Sequence, residues 1–368
     1  MKHKTLRTLL CVILTVCFCL SAIVPASAAG LFGGDSGAAT GWDQLIRGLK
    51  DRFIEKNPGT DETPATNETA AGNDFIRIFH LDCGRKYFTV KEIENIIDWI
   101  AENHYTHIEL AFGNDGFRFL LDDMTVGTYN SDQVKTAIQN GNIKDHLAKS
   151  TGVLSEADMN GIIAYAESKG IGVIPLIDVP GHTNALVYAM QELKVNDLEF
   201  RDTNKNASGN TTLAFKAGDN DATRFVVALV EKYVDYFAAK KSVYFNIGAD
   251  ECGYQTVFVD ETQLSNHLLL PLAEYIVGKN MTPMIFNDGF RTDNTLQNAL
   301  KNNDYGKKIV VCYWTLESYT KAADIARDFK IINTHNKWYY VAGKEGTEWF
   351  GYKWATGNIN ETSADSTW

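Results

Sequence analysis

The chain is short of cysteine, of positive charge, of metal-ligand spacing and of phosphate-binding glycine loops, and each shortage removes a class of function. Six cysteines occur in 368 residues. Cys11, Cys17 and Cys19 crowd the N-terminus, whereas Cys83, Cys252 and Cys312 are odd in number and far apart. A small disulfide-stapled scaffold is excluded, and stability has to come from an apolar core. Near strand ends, the three later cysteines are expected to act as small apolar filling. Lysine and arginine number 35 against 46 acidic residues, for a net charge of −11. That balance disfavours nucleic acid and anionic lipid as partners and leaves a neutral substrate as the better expectation. The eight histidines are scattered, with no H-x-x-x-H or C-x-x-C spacing to hold zinc. No P-loop or dinucleotide-type glycine loop occurs either, so neither metal nor cofactor is expected.

What is present begins with "MKHKTLRTLLCVILTVCFCLSAIVPASAAG". Lys2, Lys4 and Arg7 precede an apolar run that ends in Ala26-Ser27-Ala28, the small-x-small pattern of a secretory signal. The run is short of the ~20 residues of a membrane span, so a cleaved leader over 1–28 is preferred to an uncleaved anchor. No lipobox-like triplet precedes any of its cysteines. Losing its three basic residues takes the net charge from −11 to about −14. A secreted or cell-surface protein, free of the membrane after cleavage, is expected. Residues 29–73 combine a short amphipathic helix with an acidic linker. Trp42, Leu45, Ile46, Leu49, Phe53 and Ile54 share one helical face behind a possible Thr40 cap. "NPGTDETPATNETAAGND" then has linker composition.

From residue 74 to 368 strand-like and helix-like segments alternate. The apolar runs are 75–82, 107–113, 172–178, 243–250, 282–289, 308–315 and 330–341. Between them lie helical segments such as "VKEIENIIDWIAENH", which follows a Thr89-x-x-Glu92 capping box, and "EADMNGIIAYAESKG", which follows Ser155. A parallel sheet with crossover helices follows. A doubly wound sheet and an eight-stranded (β/α)8 TIM barrel both fit this alternation. Asp82, Asn114, Asp178, Asp250 with Glu251, Asn287 with Asp288, Trp314 and Asn333 all stand at or just past strand C-termini. Only a barrel brings every one of those ends to one face, so the α/β barrel is the economical reading. Its eighth strand is not evident in "TGNINETSADSTW". The barrel is expected to be truncated before that strand or to have the position filled abnormally.

The chemistry concentrates in "YFNIGADECG", residues 244–253. Neighbouring strand residues face opposite ways, so Asp250 and Glu251 reach one pocket only where the strand ends and the backbone turns. Two carboxylates in one cleft repel, which lets one keep a proton near neutral pH while the other stays ionised. Acetal cleavage uses that division: an acid for the leaving oxygen and a charge beside the developing cation. A solvated acidic loop is the alternative, and the flanking Gly248, Ala249 and Gly253 weigh against it by allowing close approach.

"LDCGRKYFTVKEIENIIDWIAENHYTHIELAFGNDGFRF", "IIAYAESKGIGVIPLIDVPGH", "FNIGADEC", "MIFNDGF" and "YWT" resemble, in order, the family 20 glycoside hydrolases, the β-N-acetylhexosaminidases. They look most like the branch of streptococcal exo-β-N-acetylglucosaminidases, over residues 75 to 341. The resemblance implies a retaining mechanism in which the substrate's own 2-acetamido oxygen attacks C1 and forms an oxazolinium. Glu251 would be the general acid/base, and Asp250 would hold the acetamido group. Arg85, Asp115, Asp178, His182, Phe286, Asp288, Trp314 and Tyr339 or Tyr340 would bind the sugar or support the pair. Arg85 would bond hydroxyls, Trp314 would wall the acetamido pocket, and one tyrosine would donate to the acetamido oxygen. Departures from the family pattern are Phe286 for tryptophan, Asn114 for aspartate and Leu176 for glutamate. The tryptophan and acid of the family's last strand have no counterpart here. The implied substrate is an oligosaccharide or glycoconjugate ending in GlcNAc or GalNAc; lacto-N-biosidase activity and a non-catalytic carbohydrate-binding barrel are the alternatives.

Overall fold

The computed structural model describes residues 17–20, 76–145, 151–205, 211–252, 258–290, 295–302, 306–314, 321–334 and 340–343. The amphipathic helix expected near Thr40 and the linker after it lie outside these residues. Strand β1 is Cys17–Leu20, β2 Ile78–Leu81, β3 His107–Asn114, β4 Gly116–Phe117 and β5 Gly172–Ile177. β6 Phe200–Lys205 and β7 Thr211–Phe215 form a separate antiparallel hairpin. β8 Tyr244–Asn246, β9 Thr282–Phe286, β10 Val310–Tyr313, β11 Lys330–Asn333 and β12 Tyr340–Gly343 complete the order.

The sheet runs β11-β10-β9-β8-β5-β3-β2-β1-β12. From β2 to β11 every paired neighbour is parallel and follows its predecessor in the chain, apart from the short β4 and the hairpin. A doubly wound sheet reverses its order at a switch point; this one does not, so the seven strands curl as an incomplete barrel. Beside β2 the backbone of β1 pairs Phe18 with Leu81 and, on its other edge, runs against β12. The place next to the first barrel strand is thus taken by β1, from the apolar N-terminal run.

The helices begin where their caps dictate. Thr89 with Glu92 closes a capping box on the helix Val90–Glu102, and Ser155 with Asp158 does the same for Glu156–Ser168. The first of these buries Ile93, Ile96, Ile97 and Ile100. β3 is buried from Ile108 onward, as befits a parallel strand covered on both faces. Outside it, Phe112 packs edge-on to Phe117 and Phe119 and stacks on Phe237 at 5.9 Å, which ties the helix Asp221–Ala239 to the sheet. Inside the curl, alternate residues of successive strands make the core: Ile174, Met284, Val310 and Cys312, with Ile78, Tyr244, Phe286 and Ile332 against them.

Several strands are shorter than their apolar runs suggest. β8 stops at Asn246, and 247–251 is a turn. β9 stops at Phe286 and is followed by a 3-10 turn, Asn287–Gly289. The run 330–341 contains two strands, β11 and the start of β12, with 335–339 outside the described residues. At the first two of these ends a polar side chain claims a backbone N–H, Asn246 that of Gly248 and Asn287 that of Trp314. The hairpin β6–β7, inserted after the helix Asn184–Leu193, was not anticipated.

Candidate active site

The turn after β8 is held by side chains rather than by a ladder. Gly248 N–H donates to Asn246 Oδ1 at 2.9 Å, Ala249 N–H to Asp178 Oδ1 at 3.0 Å and Glu251 N–H to Asp288 Oδ2 at 3.0 Å. These acceptors come from the ends of β8, β5 and β9. Together they draw the backbone into left-handed geometry, with φ of 70° at Gly248, 69° at Ala249 and 40° at Glu251. For alanine and glutamate that conformation costs energy, and such strain gathers at functional sites. Gly248 is obligatory for a second reason: a Cβ there would lie 2.0 Å from Asp178 Oδ1. Gly181 answers it from the other side, where a Cβ would lie 2.4 Å from the Asp250 carbonyl oxygen. The outcome is that Asp250 and Glu251 project from one turn toward one place.

Around Arg85 the charges are matched. Its Nε donates to Asp115 Oδ2 at 2.8 Å, Nη1 to Asp82 Oδ2 at 3.1 Å, and Nη2 stands 2.7 Å from His182 Nδ1. Asp82 also accepts from the backbone N–H groups of Gly84 and Arg85, so the loop after β2 folds around its own acid. Arg118 fixes that loop from beneath by donating to the Gly84 carbonyl at 3.1 Å. Burial opposes the charge on Asp115, but Arg85 and His182 beside it outweigh burial and hold its pKa down to about 2. Thr212 Oγ1, on β7, donates to the same Asp115 oxygen at 3.3 Å.

His182 bridges to a second group of acids. Its Nε2 lies 3.3 Å from Glu251 Oε2 and 3.8 Å from Asp250 Oδ2. Burial works against its charge, yet the carboxylates of Asp250 and Asp115 override it and raise its pKa well above the usual histidine range. Asp178, buried and hydrogen-bonded to Asp250, is pushed up by desolvation and by the Asp250 charge. Asp288 is pushed up for the same two reasons, although it accepts from Glu251 N–H and from the Trp314 indole N–H. Two buried carboxyls whose pKa values are raised thus flank Asp250. Asp250 Oδ1 is buried and has no hydrogen-bond partner among the described residues.

The structure gathers Arg85, Asp115, Asp178, His182, Asp250, Glu251, Asp288 and Trp314 into one connected network at the C-terminal ends of the strands. Phe286 packs its ring on the barrel core and donates its N–H to the Gly248 carbonyl at 2.7 Å, which places it under the turn. Tyr339 lies outside the described residues, and Tyr340 is described only as backbone in β12. Asp178, His182 and Asp250 could each offer a cation one atom, all within 4.8 Å of one another. The Arg85 guanidinium, 2.7 Å from His182 on its far side, opposes a cation there. Residues not foreseen are Glu109, Asn246 and Thr212; Asn287, expected at a strand end, accepts from Trp314 N–H. Glu109 carried a signal, being an acid within an apolar strand run; Thr212 carried none, because its hairpin was not recognised.

Residues 76–368 match the family described as glycosyl hydrolase family 20, catalytic domain. Over 170 residues the chain is 30% identical to β-hexosaminidase B of Pseudoalteromonas piscicida, a match covering 43% of this chain and 21% of that protein. A lacto-N-biosidase of Bifidobacterium bifidum is 27% identical over 175 residues, covering 43% of this chain and 14% of that one. The chain therefore spans about a fifth or less of the length of these curated relatives. Among solved structures it is similar to the pneumococcal exo-β-D-N-acetylglucosaminidase StrH, at 30% identity and a TM-score of 0.64 over 78% of this chain and 71% of that one.

Proposed function

The chain belongs to glycosyl hydrolase family 20, and from that premise we propose that it releases terminal β-linked GlcNAc or GalNAc from glycans with retention of configuration, using the substrate's acetamido group as nucleophile. The observation that carries this reading is the buried, unpartnered Asp250 Oδ1 one residue from Glu251. A buried carboxyl oxygen in that position is completed by one N–H donor. The acetamido N–H of a bound N-acetylhexosamine supplies it. Accepting that bond turns the acetamido carbonyl oxygen toward C1 and stabilises the positive charge that forms on the nitrogen.

Glu251 stands next to it, a third exposed and within reach of His182 Nε2. It gives its proton to the leaving oxygen as the acetamido oxygen closes on C1, then takes a proton from the water that opens the oxazolinium. An internal nucleophile on this geometry is worth effective molarities on the order of 10⁵ M or more. Burial and the Asp250 charge raise the pKa of Asp178 and Asp288, which favours the neutral form of each beside Asp250. The leader at 1–28 supports action outside the cell. The names of the relatives support an N-acetylhexosamine substrate, and the biosidase among them leaves release of a disaccharide as a second outcome.

The test compares aryl β-N-acetylglucosaminide, aryl β-glucoside and aryl lacto-N-bioside with the purified protein. Cleavage of the first with a retained β-anomeric product, and none of the second, is expected. Asp250→Ala should abolish the preference for the N-acetyl sugar. Undiminished cleavage of the N-acetyl sugar by Asp250→Ala would refute the role given to Asp250, and cleavage of the lacto-N-bioside alone would move the assignment to disaccharide release.

A further inference from the structure

Beneath the catalytic turn the barrel interior contains a polar chain that the proposed reaction does not use. His80 Nδ1 on β2 lies 2.6 Å from Glu109 Oε2 on β3. Glu109 Oε1 accepts from Asn246 Nδ2 on β8 at 2.8 Å, and Asn246 Oδ1 accepts from Gly248 N–H at 2.9 Å. Glu109 is 5% exposed and Asn246 fully buried. A carboxylate in an otherwise apolar barrel is costly unless something specific is gained by it. The same side of the barrel is polar one layer lower, where His107 meets Tyr244 edge-on over Gly172. Beside this chain the core is apolar, made by Ile174, Met284, Val310 and Cys312.

We propose that Glu109 is a positioning residue for the catalytic turn, acting through the orientation of the Asn246 amide. Resting on the hydrolase reading above, this adds a residue two strands away to the set that determines turnover. An asparagine amide has one acceptor and one donor end. Toward Glu109 the amide presents its donor end, Nδ2 at 2.8 Å from Oε1, which leaves the oxygen for Gly248 N–H. That N–H is the first of the three amide bonds that hold the left-handed turn. With the amide reversed, its NH2 would oppose Gly248 N–H, and the chain from Gly248 to Glu251 would lose its anchor on β8. His80 holds the carboxylate in place by donating to its second oxygen.

The experiment exchanges the charge. Asn246→Asp keeps an acceptor for Gly248 N–H but sets two carboxylates against each other. Its kcat at pH 7 should fall by roughly 10- to 100-fold with KM little changed, since displacements of about 1 Å in a catalytic group have effects of that order. Activity should recover as the pH is lowered and one carboxyl of the pair takes a proton. The titratable groups facing this pair are His80 on β2, Cys312 on β10 and, one layer below, His107 and Tyr244. In the double variant Glu109→Gln with Asn246→Asp, the introduced glutamine amide donates to the introduced carboxylate on β8, and its oxygen accepts from His80. The double variant should return kcat at pH 7 to within about threefold of wild type, a rescue that only directly coupled residues give. Hydrogen exchange at Gly248 N–H reads the same anchor without turnover: fast in Asn246→Asp, slow again in the double variant. No rescue in either measurement overturns the proposal, as does a wild-type pH profile in Asn246→Asp. If the wild-type protein cleaves no N-acetylhexosaminide, the hydrolase reading fails and the exchange measurement alone decides the positioning role.

Discussion

Two acidic groups meet at His182 and are built on opposite plans. On one side Asp82 and Asp115 face Arg85, with donors supplied by Thr212 and by loop amides. On the other side Asp178, Asp250 and Asp288 face one another, and the donors reaching them are backbone N–H groups, the Trp314 indole and Nε2 of His182 at a longer 3.8 Å. In the first group Arg85 and His182 offset the acids and hold Asp115 at a pKa of about 2, although Asp115 Oδ1, like Asp250 Oδ1, is buried without a partner among the described residues. In the second, burial and the Asp250 charge push Asp178 and Asp288 upward. A cluster matched in charge makes a rigid wall, whereas one whose acids face one another makes a place for a ligand that brings a donor. This separates residues that shape the pocket from those that act in it.

The largest effect belongs to the unmatched side. Glu251→Gln keeps the side-chain shape and removes the transferable proton, so kcat should fall by roughly 10²- to 10⁴-fold. The side chain is a third exposed and sits in a strained turn, so thermal unfolding should barely move. Steady-state kinetics beside calorimetry would check both halves. A large loss of stability would mean that Glu251 belongs to the wall.

On the matched side the order reverses. Asp115→Asn leaves Arg85 and His182 without their buried counter-charge and should cost about 3 kcal/mol of stability, the lower end for breaking a buried ion pair. The pH dependence carries the signature. Because its pKa is depressed, Asp115 contributes stability above the usual carboxylate value near 3.8, and that contribution is lost as pH falls toward about 2. Wild type should lose stability on that acid limb, and Asp115→Asn should show a flatter one in urea unfolding from pH 5 to pH 2.5. An unchanged limb would separate Asp115 from the matched cluster.

The barrel was legible because its evidence is local: apolar runs of strand length, capping boxes at Thr89 and Ser155, and polar residues gathered at strand ends. Asp250 and Glu251 stood out because two adjacent acids follow an apolar run between small residues, and the structure brings both toward His182 Nε2. What could not be read was pairing over distance. Nothing near Arg85 in the chain names His182, 97 residues away, as its neighbour. Nothing near Glu109 names Asn246, 137 residues away. Strand ends were misplaced for a related reason. Asn246, Asn287 and Asp288 take backbone or side-chain bonds that a ladder would otherwise use, and whether they do so depends on partners from other strands.

A smaller effect separates the two clusters by sign. Asp178 and Asp288 have raised pKa values, so the stability they contribute is present below the unfolded carboxylate value and is lost as pH rises through the folded one. His182, also raised, adds in the same direction from its ordinary value near 6.5 upward. Asp178→Asn keeps an acceptor for Ala249 N–H and, like the protonated acid, a donor for Asp250. Its stability at pH 5 should stay within about 1 kcal/mol of wild type and should exceed wild type at pH 8, because the substitution removes a buried group that has to ionise. Denaturant melts at the two pH values would show whether the sign changes; a loss at pH 8 would place Asp178 with Asp115.

The smallest effect falls on the hairpin. Thr212 reaches across from β7 to Asp115 Oδ2 at 3.3 Å and to His182 Nδ1 at 3.5 Å. The same strand is fixed to the catalytic loop by Thr183 N–H donating to the Leu213 carbonyl and by Phe215 N–H donating to the Pro180 carbonyl. Those backbone bonds do not depend on the hydroxyl. Thr212→Val preserves shape and β-branching while removing one long hydrogen bond to a charged group, so stability should fall by about 1 kcal/mol. Because Asp115 keeps Arg85, kcat should stay within about twofold of wild type, against the tenfold that 1.4 kcal/mol would bring if the loss were felt in the transition state. Thr212→Ser, which restores the donor, should recover most of the stability. A variant that loses rate rather than stability would show that the matched corner is not complete before substrate binds, and that the hairpin works on the reacting groups through His182.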